Sequence, residues 1–143
     1  MNILSLLSSF ASLIFIFMGL YALKLEPRSR LNRIFFAITF CASLWSLSYA
    51  FIYSAASEEE CRAWHRVSAI GWSFMPALFA HFAMVFTRSG RPRLRALQYL
   101  ALYAPALVFM GRSLTGVITT SGFTRTPLGW TDVMVYDTAW YAA

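Results

Sequence analysis

The chain has 143 residues, of which 59% are hydrophobic and only 13% are charged. Ordinary soluble domains are about one-quarter charged, so a water-soluble fold could not cover this much apolar surface. The long apolar runs also lack the alternation of a membrane β-barrel. The composition therefore predicts helices in a lipid bilayer, where backbone groups must be bonded internally. The net charge of +6 does not predict nucleic-acid binding, because most basic residues lie in two short loops, where membrane topology explains them better.

Four apolar segments are each about as long as a bilayer crossing. The clearest, residues 67–87, contains no Asp, Glu, Lys or Arg. At about 1.5 Å per residue, a helix of this length reaches roughly 31 Å, which matches the roughly 30 Å hydrocarbon core. The other spans are predicted at about residues 3–23, 34–54 and 96–112. Because no basic residue precedes the first span, it is unlike a cleaved signal peptide and is predicted to be retained.

The charges between the spans predict how the chain is oriented. Eight of the twelve basic residues fall in the loops after the first and third spans: Lys24, Arg28, Arg30, Arg33, Arg88, Arg91, Arg93 and Arg95. The positive-inside rule places these loops in the cytoplasm. The amino terminus, the net acidic loop around Glu58, Glu59 and Glu60, and the segment after the fourth span are then predicted to lie outside. Arg112 is expected to snorkel to the outer interface.

Residues 113–143 contain many threonines together with Gly116, Gly122, Pro127 and Gly129 and are predicted to form an irregular outer segment. From residue 133 to residue 143 the chain becomes apolar and aromatic again, as a fifth span would begin. The predicted fold is an all-α polytopic membrane helix bundle with four spans and an incomplete fifth. We expect the chain to be a piece of a longer protein.

Small residues recur at steps of three and four along the first two spans, and such faces let membrane helices approach closely. These stripes predict that the two helices pack together, and a lining for a ligand cavity is the alternative on the second span. The stripe of the first span is Ser5, Ser8, Ser9, Ser12 and Gly19, and that of the second is Thr39, Ser43, Ser46, Ala50 and Ser54.

His81 is the one ionisable residue well inside a predicted span, where a polar group usually faces the protein and has a partner or a function. It falls on the same helical face as Ser73, Ala77 and Met84. Its near-neutral reference pKa allows a proton switch, but a neutral histidine bonded to a neighbouring serine needs no function, and this structural interpretation is preferred. Pro76 removes a backbone donor and is predicted to bend the helix, either as a hinge or as a tolerated feature.

No catalytic set is present in the sequence. It has no phosphate-binding glycine loop, nucleophile elbow or cluster of metal ligands, so neither enzymatic activity, a cofactor nor a metal site is predicted. Cys41 and Cys61 are too far apart along continuous helices for a disulfide. The run from Glu58 to Glu60 is interpreted as a solvated helix start rather than a site for a cation or a basic peptide.

Two stretches and a short motif carry a family resemblance: LNRIFFAITFCASLWSLSYAFIYSA, WHRVSAIGWSFMPALFAHFAMVFT and TPLGW. Together they resemble the amino-terminal seven-transmembrane region of bacterial sensor histidine kinases and related signalling proteins, over nearly the whole chain. The marks are Asn32, Phe35, Trp45, Trp64, Arg66, Gly71, Pro76, Phe82 and Phe86.

The resemblance implies a sensory input region in the bacterial inner membrane, with its amino terminus outside and an output such as a histidine kinase or nucleotide cyclase in the cytoplasm. The chain departs from the pattern by ending where the fifth helix should begin. The resemblance implies that a stimulus biases the packing of the bundle, which requires different affinities for two arrangements. Partners would be the lipid bilayer and a second copy, through the missing output domain. Candidate ligand-contact or packing residues are His81, Pro76, Trp72 and Trp45.

Two other functions are alternatives to sensing for a membrane protein of this size. A small four-helix multidrug transporter would be expected to hold an acidic residue inside its first helix to couple protons to substrate, and residues 3–23 have none. A small non-catalytic membrane subunit or anchor remains the alternative.

Overall fold

The computed structural model describes residues 2–87, 95–115 and 122–133. In this part of the chain four helices are followed by a two-stranded antiparallel sheet. The helices are α1 (Ile3–Leu25), α2 (Arg30–Ser54), α3 (Glu58–Phe86) and α4 (Arg95–Leu114), and the strands are β1 (Gly122–Thr126) and β2 (Gly129–Val133). Each helix packs against the helix that follows it in the chain.

The first three helices begin at polar N-caps, as expected for residues whose side chains accept a hydrogen bond from the first turn. Asn2 accepts from the backbone N–H of Ser5, and Ser57 accepts from that of Glu60. Glu60 in turn accepts from the N–H of Ala56 at 2.8 Å. The three glutamates therefore occupy the first turn of α3, where the helix dipole favours negative charge. This arrangement agrees with their interpretation as a helix start.

The stripe of small residues on α1 is the surface that packs against α2. Ser5, Ser12 and Gly19 are the buried residues of this helix, spaced seven apart, and its other residues are partly or fully exposed. The hydroxyls of Ser12 and Ser43 lie 2.8 Å apart, and Ser5 Oγ donates to the carbonyl of Ala50 at 2.8 Å. The prediction that the two small faces pack together is confirmed. Interhelical hydroxyl bonds of this kind each contribute about 0.6 kcal/mol in membranes.

On its other side α2 approaches α3 closely at Gly71. A Cβ atom at this position would lie 2.6 Å from the backbone oxygen of Cys41 and 3.2 Å from Trp45. Only a glycine lets the two helices meet at this distance, because the atoms opposite it belong to the backbone of α2. The helix α2 is therefore central, with α1 and α3 fixed against it by small residues.

Residues 122–133 correct the expectation of an irregular outer segment, because they form a β-hairpin. The strands are joined by the two-residue loop of Pro127 and Leu128, and Thr126 pairs with Gly129. Gly129 has a φ of 118°, a conformation that glycine adopts without steric cost. Threonine and aromatic residues on both strands favour extended structure. The glycines and the proline that suggested irregularity belong to the turn and the strand ends.

The hairpin lies at the end of the bundle that also holds the amino terminus and the α2–α3 loop, which we call the hairpin end. The side-chain amide of Asn2 donates to the carbonyls of Tyr53 at 2.9 Å and Leu128 at 2.5 Å. Trp130 Nε1 donates to the carbonyl of Ala55 at 2.9 Å. The basic α1–α2 loop is at the opposite end, so the two ends differ in charge as the sequence indicates.

Among the described residues, three helices, α1, α2 and α3, are long and apolar enough to cross a membrane. The chain is thus a membrane protein built as a helix bundle. The 29 residues of α3 reach about 43 Å at 1.5 Å per residue, which exceeds the hydrocarbon core. The first turns of α3, with their charged residues, therefore extend beyond the predicted span of residues 67–87.

Candidate functional site

A cavity of about 400 Å³ opens between α1, α2 and α3, and we call it the three-helix cavity. Its size is within the range of small-molecule sites. The wall is almost entirely apolar, with side chains contributed by all three helices, among them Phe15, Met18, Trp45, Ser46, Met75 and Phe79.

The hydroxyl groups of the wall come from Thr39 and Ser46, two members of the small-residue stripe on α2. Thr39 Oγ1 lies 3.0 Å from the carbonyl oxygen of Phe36 and 3.2 Å from that of Phe35, so its single proton is held by its own helix. A ligand with several polar groups would leave them unpaired here, at a cost of a few kcal/mol each. The cavity suits an apolar molecule. The stripe on α2 thus contributes both to helix packing, through Ser43, and to the cavity wall, through Thr39 and Ser46.

Trp45 connects the cavity with the contact between α2 and α3. Its side chain is 40% exposed, and its ring meets the ring of Tyr49 edge to face, with centroids 6.2 Å apart. On its backbone side, Trp45 Cβ lies 3.2 Å from the position that a Cβ of Gly71 would take. A molecule that displaces the indole therefore acts next to a close approach between the two helices.

Pro76 and Trp72 do not line the cavity, although Met75 and Phe79 beside Pro76 do. Pro76 is exposed and lies within α3, which continues as one helix through it. Because proline has no N–H, it cannot donate to the carbonyl of Trp72, four residues earlier. The helix lacks one internal hydrogen bond beside the cavity, and this is the structural basis for a bend or hinge at this point.

His81 lies between α3 and α4, away from the cavity wall. Its Nδ1 is 2.7 Å from the hydroxyl of Tyr103, and its ring centroid is 4.8 Å from that of Tyr99. The partner of the histidine is thus a tyrosine of the next helix and not a neighbouring serine. The imidazole is half-buried, and Ser73 and Ala77 on the same face are buried.

The sequence interpretation did not single out Tyr99 and Tyr103, which accompany His81, or Met75 and Phe79, which line the cavity. The two tyrosines carry a usable signal, because residues four apart share one helical face and both are amphipathic. For Met75 and Phe79 no such signal exists. Large apolar residues occur all around a membrane helix, and the sequence does not say which of them border a void.

The chain matches the family model of the N-terminal 7TM region of histidine kinase over residues 7–142. This match spans the four helices and the hairpin. No curated protein and no solved structure matches the chain.

Proposed function

This chain belongs to the N-terminal 7TM region of histidine kinases, and from that premise we propose that it passes a stimulus to a kinase domain in the cytoplasm. It is a membrane-embedded, non-catalytic sensory region of a signalling protein and does not itself contain a kinase domain. A stimulus received here must therefore act through the packing of the helices.

The proposal includes four crossings of the bacterial inner membrane, with the amino terminus and the hairpin end outside. The 20 residues of α4 reach about 30 Å, enough to cross the hydrocarbon core. Support for the orientation comes from the charges: basic residues surround the α1–α2 loop, whereas glutamates begin α3 at the hairpin end.

The orientation is tested with single cysteines at two exposed loop positions, in a chain whose own cysteines are replaced by alanine. In intact cells, Ser57→Cys at the hairpin end is expected to react with a membrane-impermeant maleimide. Arg28→Cys in the α1–α2 loop is expected to react only after permeabilisation. The opposite pattern would reverse the proposed topology.

We further propose that the three-helix cavity receives an apolar stimulus. The observation that carries this proposal is the position of Trp45, which borders the cavity and lies against Gly71, where α2 and α3 approach closely. A ligand shifts an equilibrium only by its differential affinity for two states. A ligand in the cavity binds the two arrangements of the bundle with different affinities if one arrangement closes or reshapes the cavity.

Filling the cavity from within tests the proposal without knowledge of the stimulus. Ser46→Phe places a ring in the cavity, and Leu47→Phe adds the same ring at the next position of α2, where the side chain is exposed. The full-length gene product is reconstituted in nanodiscs, and its ATP-dependent autophosphorylation is measured. A coupling of 1–3 kcal/mol corresponds to a change of roughly fivefold or more. We expect this change for Ser46→Phe and wild-type rates for Leu47→Phe.

The outcomes separate the two parts of the proposal. Equal rates for both variants and the wild type would remove the cavity from the mechanism but leave the sensory role. A full-length product without ATP-dependent phosphorylation would contradict the kinase output.

A further inference from the structure

The hairpin covers a buried cluster at the hairpin end. Ile52, Cys61 and Phe123 form its centre, and Cys61 is fully buried. Trp130 packs against this cluster and holds the hairpin in place through its bond to the carbonyl of Ala55. Access of solvent to Cys61 therefore reports whether the hairpin is docked.

His65 lies beneath the same hairpin, one turn after Cys61 in α3. Its ring meets the ring of Phe123 edge to face, with centroids 5.8 Å apart. The residue is 8% exposed, and its Nδ1 has no hydrogen-bond partner in the described parts of the chain. His65 precedes the predicted span of residues 67–87 and thus belongs to the part of α3 that extends beyond the hydrocarbon core.

Asp132 approaches His65 from the hairpin. It pairs directly with Phe123 in the register of the two strands, and residues directly opposite each other point to the same face of a sheet. Because Phe123 contacts His65, Asp132 is directed to the same side, and its charge acts on the imidazole. From α2, Tyr49 and Tyr53 are within electrostatic range of the same carboxylate.

The other titratable groups near this point belong to α3 itself. They include the thiol of Cys61 and the carboxylates of Glu58 and Glu60, which act on that thiol. Arg62, three residues before His65, is paired with Glu58 at 2.6 Å. Among side chains, histidine is the one whose unperturbed pKa places its change of charge between about pH 5.5 and 8. His65 is therefore the group under the hairpin from which a response to mild acid is expected.

A proton on Nδ1 would create a buried charged N–H with no acceptor among the described residues, which is costly. Burial accordingly lowers the pKa of His65, and the negative charge of Asp132 opposes this effect only in part. When the hairpin is undocked, the imidazole is in water and binds a proton with its ordinary affinity. The undocked state therefore binds more protons in mild acid, and by linkage acid favours it.

We propose that the hairpin is a pH-responsive cap, which stays docked while His65 is neutral and is released from the bundle when His65 takes up a proton. The cap works independently of the three-helix cavity and of the nature of the output domain.

Labelling of Cys61 in nanodiscs tests the proposal on the full chain carrying Cys41→Ala. Protection is defined as the rate at which the unfolded protein reacts with an impermeant maleimide divided by the rate for the folded protein at the same pH. This ratio removes the pH dependence of the thiol itself. This protection is expected to fall at least about threefold between pH 8 and pH 5.5. A protection that stays constant, or that rises in acid, would overturn the proposal.

Two variants assign the effect to His65. His65→Gln keeps a polar side chain that cannot take up a proton, and its protection is expected to be independent of pH. In Asp132→Asn the charge that stabilises the imidazolium in the docked state is removed, so protection is expected to fall more steeply with acid than in the wild type. A wild-type pH response in His65→Gln, or a shallower one in Asp132→Asn, counts against the proposal. If His65→Gln does not fold, the Asp132→Asn result decides.

Discussion

Gly71→Leu is expected to lower the free energy of unfolding of the bundle by about 3 kcal/mol, the upper part of the range for overpacked interiors. Even the first atom of the new side chain would lie 2.6 Å from the backbone oxygen of Cys41 and 3.2 Å from the backbone nitrogen of Trp45. Backbone atoms cannot rotate away, as the end of a flexible side chain can. The helices α2 and α3 must separate, and the contacts along their interface weaken together.

Gly111→Leu is the matched control, because a Cβ at this position of α4 meets nothing within 4 Å. Leucine favours a helix over glycine by about 0.8 kcal/mol, so the control is expected to be neutral or slightly stabilised. Both variants are unfolded reversibly in mixed micelles and followed by helical circular dichroism. Equal stabilities of the two variants would show that α2 and α3 do not depend on the close approach at Gly71.

The proposed response to an apolar stimulus depends on the same contact, because Trp45 belongs to the cavity wall and to the surface opposite Gly71. A tight, glycine-dependent contact has few alternative packings, and closely packed contacts shift between discrete arrangements rather than deform gradually. A ligand that moves Trp45 would thus change the relation of α2 to α3 as a unit. Pro76, where α3 lacks a hydrogen bond, lies little more than a turn further along the same helix.

The packing of α1 on α2 could be predicted from the sequence because its signal is local. Ser5, Ser12 and Gly19 stand at one spacing on one face of an apolar helix, and small residues mark the closest contacts of membrane helices. The existence of the long apolar helices follows in the same way from hydrophobic length. Both features depend on a pattern within a single segment, which can be recognised without knowing what the segment packs against.

The partner of His81 and the cavity could not be predicted, because they depend on how helices distant in sequence face each other. The histidine's depth in the span indicates that a partner exists, but Tyr103 is 22 residues away, and the rotation of α4 against α3 decides whether it reaches. For the hairpin the signals are present in the sequence but ambiguous. Pro127 and Gly129 are typical of breaks in regular structure, although a proline and a glycine flanked by threonine and aromatic residues also indicate a tight turn between strands.

Gly129→Ala is expected to undock the hairpin. At φ 118° an alanine is strained by about 1–3 kcal/mol, and its Cβ would lie 2.5 Å from the carbonyl oxygen of Tyr53 and in conflict with the side-chain amide of Asn2. Both groups take part in the bond that joins the amino terminus to α2. Strain of this size corresponds to a shift of roughly 5- to 150-fold toward the undocked state.

Cys61 again provides the measurement, since it is fully buried beneath the hairpin. At pH 8 its reaction with the impermeant maleimide is expected to accelerate about 10-fold in Gly129→Ala. Leu128→Ala is the matched control, because this turn side chain is exposed and the carbonyl that accepts from Asn2 is retained. If the two variants react at the same rate, the hairpin does not depend on the close approach of Gly129 to α2. A selective increase in Gly129→Ala shows instead that one glycine keeps the cap in contact with the bundle.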